Sequence, residues 1–174
     1  MEWTGARYAD SPTVESQSWI AAPPPRVWEL VSDVELMPTL SSELQSVRWL
    51  AGATGPAPGA RFEGRNRHPA IGEWTTTSHV LTCAPPREFS WAVENPEAPA
   101  ALWRFTLEAH DGGTLLHQWV RLGPGPSGLS YAIARAPEQE QQIVFVRLRE
   151  LQRSIGVTLD ALKELAERPE EAGA

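Results

Sequence analysis

The chain has 174 residues, 41% of them hydrophobic and 21% charged, which fits one domain with a sizeable core and excludes wholesale disorder. Its formal net charge of −7, with basic residues spread along the sequence, argues against nucleic acid or an anionic membrane as the main partner. Cys83 is the only cysteine, so no internal disulfide and no cysteine-based metal cage can form, and no segment approaches the roughly 20 apolar residues that span a bilayer.

The opening "MEWTGARYAD" lacks the basic-then-apolar design of a secretory leader, so a soluble cytoplasmic protein is expected. Residues 1–13 read as a loose arm, residues 14–168 as a single domain and residues 169–174 as a flexible tail. "VESQSWIAA" (14–22) has β-type composition and runs into "PPPRVWELVSD". There the prolines can take the first turn of a short helix, where a missing N–H costs nothing. Val27, Leu30 and Val31 share one face of it. "VELMPTLS" predicts a second short helix or turn after Asp33.

From residue 43 the texture changes to short alternating runs separated by turn residues, the pattern of an antiparallel meander. The runs cover 43–51, 60–68, 73–83, 87–95, 101–110 and 113–123, which makes about seven strands with the N-terminal one. Asp111-Gly112-Gly113 supplies the positive φ angles of a tight hairpin. After the Gly/Pro-rich "GPGPSG" the period becomes helical over 138–167. Val144, Leu148, Leu151, Ile155, Leu159, Leu162 and Leu165 form one apolar stripe, Gly156 weakens the middle and Pro169 ends it.

Strand, two short helices, six-strand meander and long terminal helix together resemble the START-like superfamily, which includes polyketide cyclases/dehydrases and lipid carriers. The residues that carry the likeness are "IAAPPPRVWELVSDVELMP" (20–38), "GARFEGRNR" (59–67) with Trp74 after it, "DGGT" (111–114) and "TLDALKELAE" (158–167). The resemblance implies an α+β helix-grip fold. A curved seven-stranded antiparallel sheet would wrap the long helix and leave a deep, mostly apolar cavity. Architecture follows from such a likeness far more firmly than activity does.

Alternation along each strand sorts the side chains. Phe62, Gly64, Asn66 and His68 share one face of their strand, and Glu63, Arg65 and Arg67 the other. Burying two unpaired guanidiniums is prohibitive, so the arginines belong outside and Phe62 and Asn66 inside. By resemblance to aromatase/cyclases, Trp74, Thr76, Ser78, Val80 and Thr82 face inward on the next strand. Phe89, Trp91 and Val93, then Trp103, Phe105 and Leu107, are the apolar faces of the two after it. On the last strand Leu116, Gln118, Val120 and Leu122 form the more apolar set, which a bulge would reverse.

The expected cavity is thus walled by Phe62, Trp74, Thr76, Val80, Phe89, Trp91, Trp103 and Phe105, with Asn66, Ser78 and Gln118 as the candidate catalytic polar groups. The resemblance also marks two departures. Val80 stands where aromatic-polyketide members carry a catalytic arginine, and Leu44 stands where they carry a cavity tyrosine. His68 could act as a base near the mouth or simply be a loop histidine before Pro69. No metal-ligand spacing occurs, and neither a metal nor a cofactor is expected. The expected partner is a hydrophobic or aromatic small molecule, bound by a monomer or homodimer. Three functions fit: a polyketide cyclase/dehydrase, a non-catalytic carrier or sensor of lipids or aromatic metabolites, and an interaction module.

Overall fold

The structure, a computed structural model, describes residues 1–169. Seven antiparallel strands form a single sheet: β1 (Thr13–Ile20), β2 (Leu44–Trp49), β3 (Arg61–His68), β4 (Gly72–Ala84), β5 (Glu88–Val93), β6 (Ala101–His110) and β7 (Gly113–Leu122). Their order across the sheet is β1-β7-β6-β5-β4-β3-β2. Every neighbouring pair from β2 to β7 is consecutive in sequence, so the meander needs no crossover. Asp111 and Gly112 both have positive φ (47° and 76°), the turn that the Asp-Gly pair favours between β6 and β7.

Four helices complete the domain: α1 (Pro24–Ser32), α2 (Met37–Leu40), α3 (Gly128–Arg135) and α4 (Glu140–Glu167). Pro24 and Pro25 open α1, and the Asp33 carboxylate ends it by accepting from the Glu35 and Leu36 N–H groups. In α4, Val144, Leu148, Leu151, Ile155, Leu159 and Leu162 are buried as the period predicts, while Ala166 rather than Leu165 takes the last buried position. Lys163 and Glu167 tie its end to β1, through the Trp19 carbonyl (2.6 Å) and the Ala21 N–H (2.7 Å). The fold class is therefore the expected α+β helix-grip.

Three expectations need correction. The long helix is continuous but starts at Glu140 rather than at residue 138, after a 3-10 turn at Pro137–Gln139, and a short helix α3 precedes it. Ser127 caps α3 by accepting from the Ser130 N–H (3.2 Å), a start signal hidden inside the Gly/Pro-rich run. The first residues are not a loose arm. Tyr8 is buried and its hydroxyl donates to the Gly125 carbonyl (2.7 Å), while its N–H donates to Glu140 (3.0 Å). Burial raises the Tyr8 pKa, and the Ser127 hydroxyl lowers it by less. Third, Thr82 does not face inward. A bulge after Val80 shifts the register, so Cys83 lies opposite Phe89 and Thr82 opposite Ser90, with Leu81 left exposed. A similar irregularity between Leu44 and Ser46 bends β2. The expected C-terminal tail, 169–174, lies outside the described residues except for Pro169.

Candidate functional site

A cavity of about 790 Å³ lies between the concave face of the sheet and α4. The strand register divides its sheet wall into rows. Nearest the mouth Asn66 pairs with Trp74, and the next row is Gly64 with Thr76. Then come Phe62, Ser78, Val93, Ala101 and Leu122, followed by Val80, Trp91, Trp103 and Val120. The next row of the inner face carries Cys83, Phe89, Phe105 and Gln118, of which Phe105 and Gln118 line the cavity. No shift interrupts the β6–β7 register, so Gln118 points inward and Trp119 outward, where Arg104 stacks on it at 4.6 Å.

Aromatic side chains make the centre of the wall. The Trp91 and Trp103 rings stack at 6.1 Å with planes 10° apart, and Phe62 meets Trp91 edge-on at 6.2 Å. Phe105 lies 6.0 Å from Trp91. Phe62, Trp74, Thr76, Trp91, Trp103 and Phe105 all line the cavity, as do Asn66, Ser78 and Gln118. Val80 and Phe89 face inward but belong to the closed core. Phe89 is sealed by Trp28 of α1, edge-on at 6.3 Å, and Val80, beside the bulge, is only 2% exposed. Leu44 does reach the wall, an alkyl group without the hydroxyl a tyrosine would bring.

The polar groups differ in how much bonding capacity they have left. Gln118 is buried, and its Oε1 has no partner. An unpaired, inaccessible amide oxygen in an apolar surrounding costs stability. Asn66 is already engaged, its Nδ2 donating to the Gly64 carbonyl (3.3 Å) and the Thr76 hydroxyl (3.2 Å). His68 is not on the wall. Its Nδ1 accepts from the Ala70 N–H (3.2 Å), which puts the proton of the neutral ring on Nε2, 3.6 Å from Glu150.

Among the described residues the ionisable groups that line the cavity are Glu43, Glu94, Tyr131 and Arg147. Arg147 of α4 donates twice to the Glu43 carboxylate, at 2.8 Å for each bond, and lies 3.4 Å from Glu150. Burial works against its charge, but the Glu43 hydrogen bonds and the two carboxylates outweigh it and hold its pKa above the usual value. Glu94 also lines the rim, and its carboxylate accepts from the Thr77 N–H (3.2 Å). Ile71 at the β3–β4 turn and Tyr131 of α3 edge the opening and are exposed. The alternation of strands could not show α4's contribution, yet a signal was present. Arg147, Ser154 and Thr158 interrupt the apolar stripe three residues after Val144, Leu151 and Ile155. Among the described residues no cluster of His, Cys, Asp and Glu could hold a metal ion, and no helix is long and apolar enough to cross a membrane.

A curved meander gripping a long helix around an aromatic-walled cavity defines a START-like, helix-grip protein. Residues 11–153 match the family described as polyketide cyclase / dehydrase and lipid transport, and the chain belongs to that family. Among solved structures, a polyketide-cyclase-like protein from Corynebacterium glutamicum is 26% identical, with a TM-score of 0.60 over 92% of this chain and 97% of that one. The fold is shared with two di-domain ARO/CYC proteins. One is StfQ of the steffimycin biosynthetic pathway, 14% identical with a TM-score of 0.69 over 89% of this chain and 50% of that one. The other is BexL of the BE-7585A pathway, 21% identical with a TM-score of 0.65 over 91% and 51%. This chain spans about half the length of each. No curated protein matches the sequence.

Proposed function

We propose that the protein binds a hydrophobic, ring-forming or aromatic small molecule in this cavity and acts on it as a polyketide cyclase/dehydrase, chiefly by holding it folded. The observation that carries this reading is the stacked Trp91–Trp103 wall around a space of about 790 Å³, a size suited to a molecule of several rings. Asn66, Ser78 and Gln118 supply neutral polar points along an otherwise apolar path. Flat walls restrict the conformations of a flexible poly-β-keto chain and bring its reacting carbons together, the entropic part of catalysis. A neutral hydroxyl donor on the wall then polarises a carbonyl as the adjacent carbon loses its proton.

A second reading, a non-catalytic carrier of lipids or aromatic metabolites, is favoured by how few ionisable side chains line the cavity. Among Glu43, Glu94, Tyr131 and Arg147, the first and last are committed to each other. Incubation with a linear poly-β-keto thioester, followed by mass spectrometry, separates the two. Faster appearance of a cyclised, dehydrated product supports the enzyme, and recovery of bound but unchanged compound supports the carrier. If aromatic probes and the thioester both fail to bind, the cavity reading itself is wrong.

A further inference from the structure

Three hydrogen-bonding groups on the inner side of the mouth settle one another's roles. The same end of the Asn66 amide lies 3.3 Å from the Gly64 carbonyl oxygen and 3.2 Å from the Thr76 hydroxyl. A carbonyl oxygen only accepts, so the end beside it must be the NH2 group. Turning the amide over would set two oxygens against each other. Both Asn66 N–H bonds are therefore directed at the protein, one to Gly64 and one to Thr76. What Asn66 has left for a ligand is Oδ1, an acceptor, which cannot hold a carbonyl or an oxyanion.

Thr76 is in the opposite position. Its hydroxyl accepts from Asn66, and among the described residues that is its one side-chain hydrogen bond. The lone pair that Asn66 occupies turns the O–H away from Asn66, and Thr76 lines the cavity. Gly64 leaves room beside the pair. A Cβ there would press on Leu44 Cδ1 at 3.0 Å and stand in ordinary contact with the Thr76 hydroxyl oxygen at 3.4 Å.

We propose that the Thr76 hydroxyl is the donor that recognises a carbonyl oxygen of the ligand, and that Asn66 is a positioning residue acting through it. This rests on the reading that the cavity binds a small molecule, and it narrows the class to ring compounds bearing a ketone or quinone oxygen. A donor there also steadies the negative charge that gathers on that oxygen when a neighbouring C–H is deprotonated.

The test uses two planar probes of the same shape, 2-acetylnaphthalene and 2-isopropenylnaphthalene, in which a carbonyl oxygen is replaced by CH2. Affinities are read by quenching of tryptophan fluorescence, and the bound ketone is followed by the infrared C=O stretch. In Thr76→Val the acetyl-to-isopropenyl affinity ratio should fall about three- to tenfold, with isopropenyl binding unchanged. The C=O band should lose its hydrogen-bonded position. Thr76→Ser should keep both signals. Asn66→Asp should lose both although Thr76 is intact, because the carboxylate accepts the Thr76 proton and withdraws it from the ligand. Circular dichroism and melting curves confirm that each variant folds. If both probes bind but Thr76→Val leaves the ratio and the band unchanged, or Asn66→Asp leaves them unchanged, the assignment is overturned while the cavity reading stands. Failure of both probes to bind the wild-type protein overturns both readings, and failure of the ketone alone overturns the Thr76 assignment.

Discussion

At the scale of single residues, what matters in this cavity is how many hydrogen bonds each polar group has left. Asn66 and Gln118 carry the same amide, yet Asn66 has spent both protons on its own chain and the Gln118 oxygen has no partner. The strand alternation placed both on the inner face, because period-2 sorting needs only the residue types. It could not distinguish their roles, since the partners of Asn66 come from its own strand and from the neighbouring one. Gln118 leads to a prediction for stability. Gln118→Leu removes an unpaired buried oxygen at nearly constant volume and should raise unfolding free energy by about 1–2 kcal/mol in urea titrations. A destabilised Gln118→Leu protein would show that the amide is satisfied in the free state.

At the scale of elements, helix α4 combines two functions on one surface. Its buried stripe closes the sheet, while Arg147, Ser154 and Thr158 along the edge of that stripe face the cavity. Arg147 also fastens the helix to the α2–β2 connection through Glu43. An ion pair this specific was not legible in the sequence, because Glu43 and Arg147 are 104 residues apart and meet only when the sheet wraps the helix. Gly156, by contrast, is legible in the sequence as a helix-weakening residue. No atom lies within 4 Å of where its Cβ would be, so alanine fits without strain. Gly156→Ala should stabilise the protein by about 0.5–1 kcal/mol, seen as a higher melting temperature with probe affinity unchanged. A lowered melting temperature would mean that the helix needs the glycine's flexibility.

At the scale of the whole molecule, the fold maintains a space of about 790 Å³ where a tighter core would be more stable. Filling that space should therefore strengthen the entire domain. A ligand at a hundred times its dissociation constant adds about 2.7 kcal/mol. For a chain of this size that corresponds to a rise in Tm of roughly 5–10 °C. Thermal titration of the full chain with aromatic ketones reads this directly, and flat melting curves across compounds that measurably quench tryptophan would place their binding outside the cavity. Trp91 and Trp103 make the quenching informative, because they stack in the wall itself.

Local rules were enough for much of this protein. Alternation identified the inner faces of β3, β5, β6 and β7, the Asp-Gly pair identified the β6–β7 turn, and a sustained helical period identified α4. Each of these depends on interactions within a few residues, so it can be read one segment at a time. The tertiary structure alone decided the rest. The bulge in β4 exchanged Thr82 for Cys83, Trp28 sealed Phe89 away from the cavity, and Tyr8 anchored what composition suggested was loose. At "FEGRNRHPAIGEW" the arginines are exposed, and the asparagine between them gives its protons to Gly64 and Thr76. Those outcomes depend on which distant groups come to share a space and a hydrogen bond, and only the closed sheet determines that.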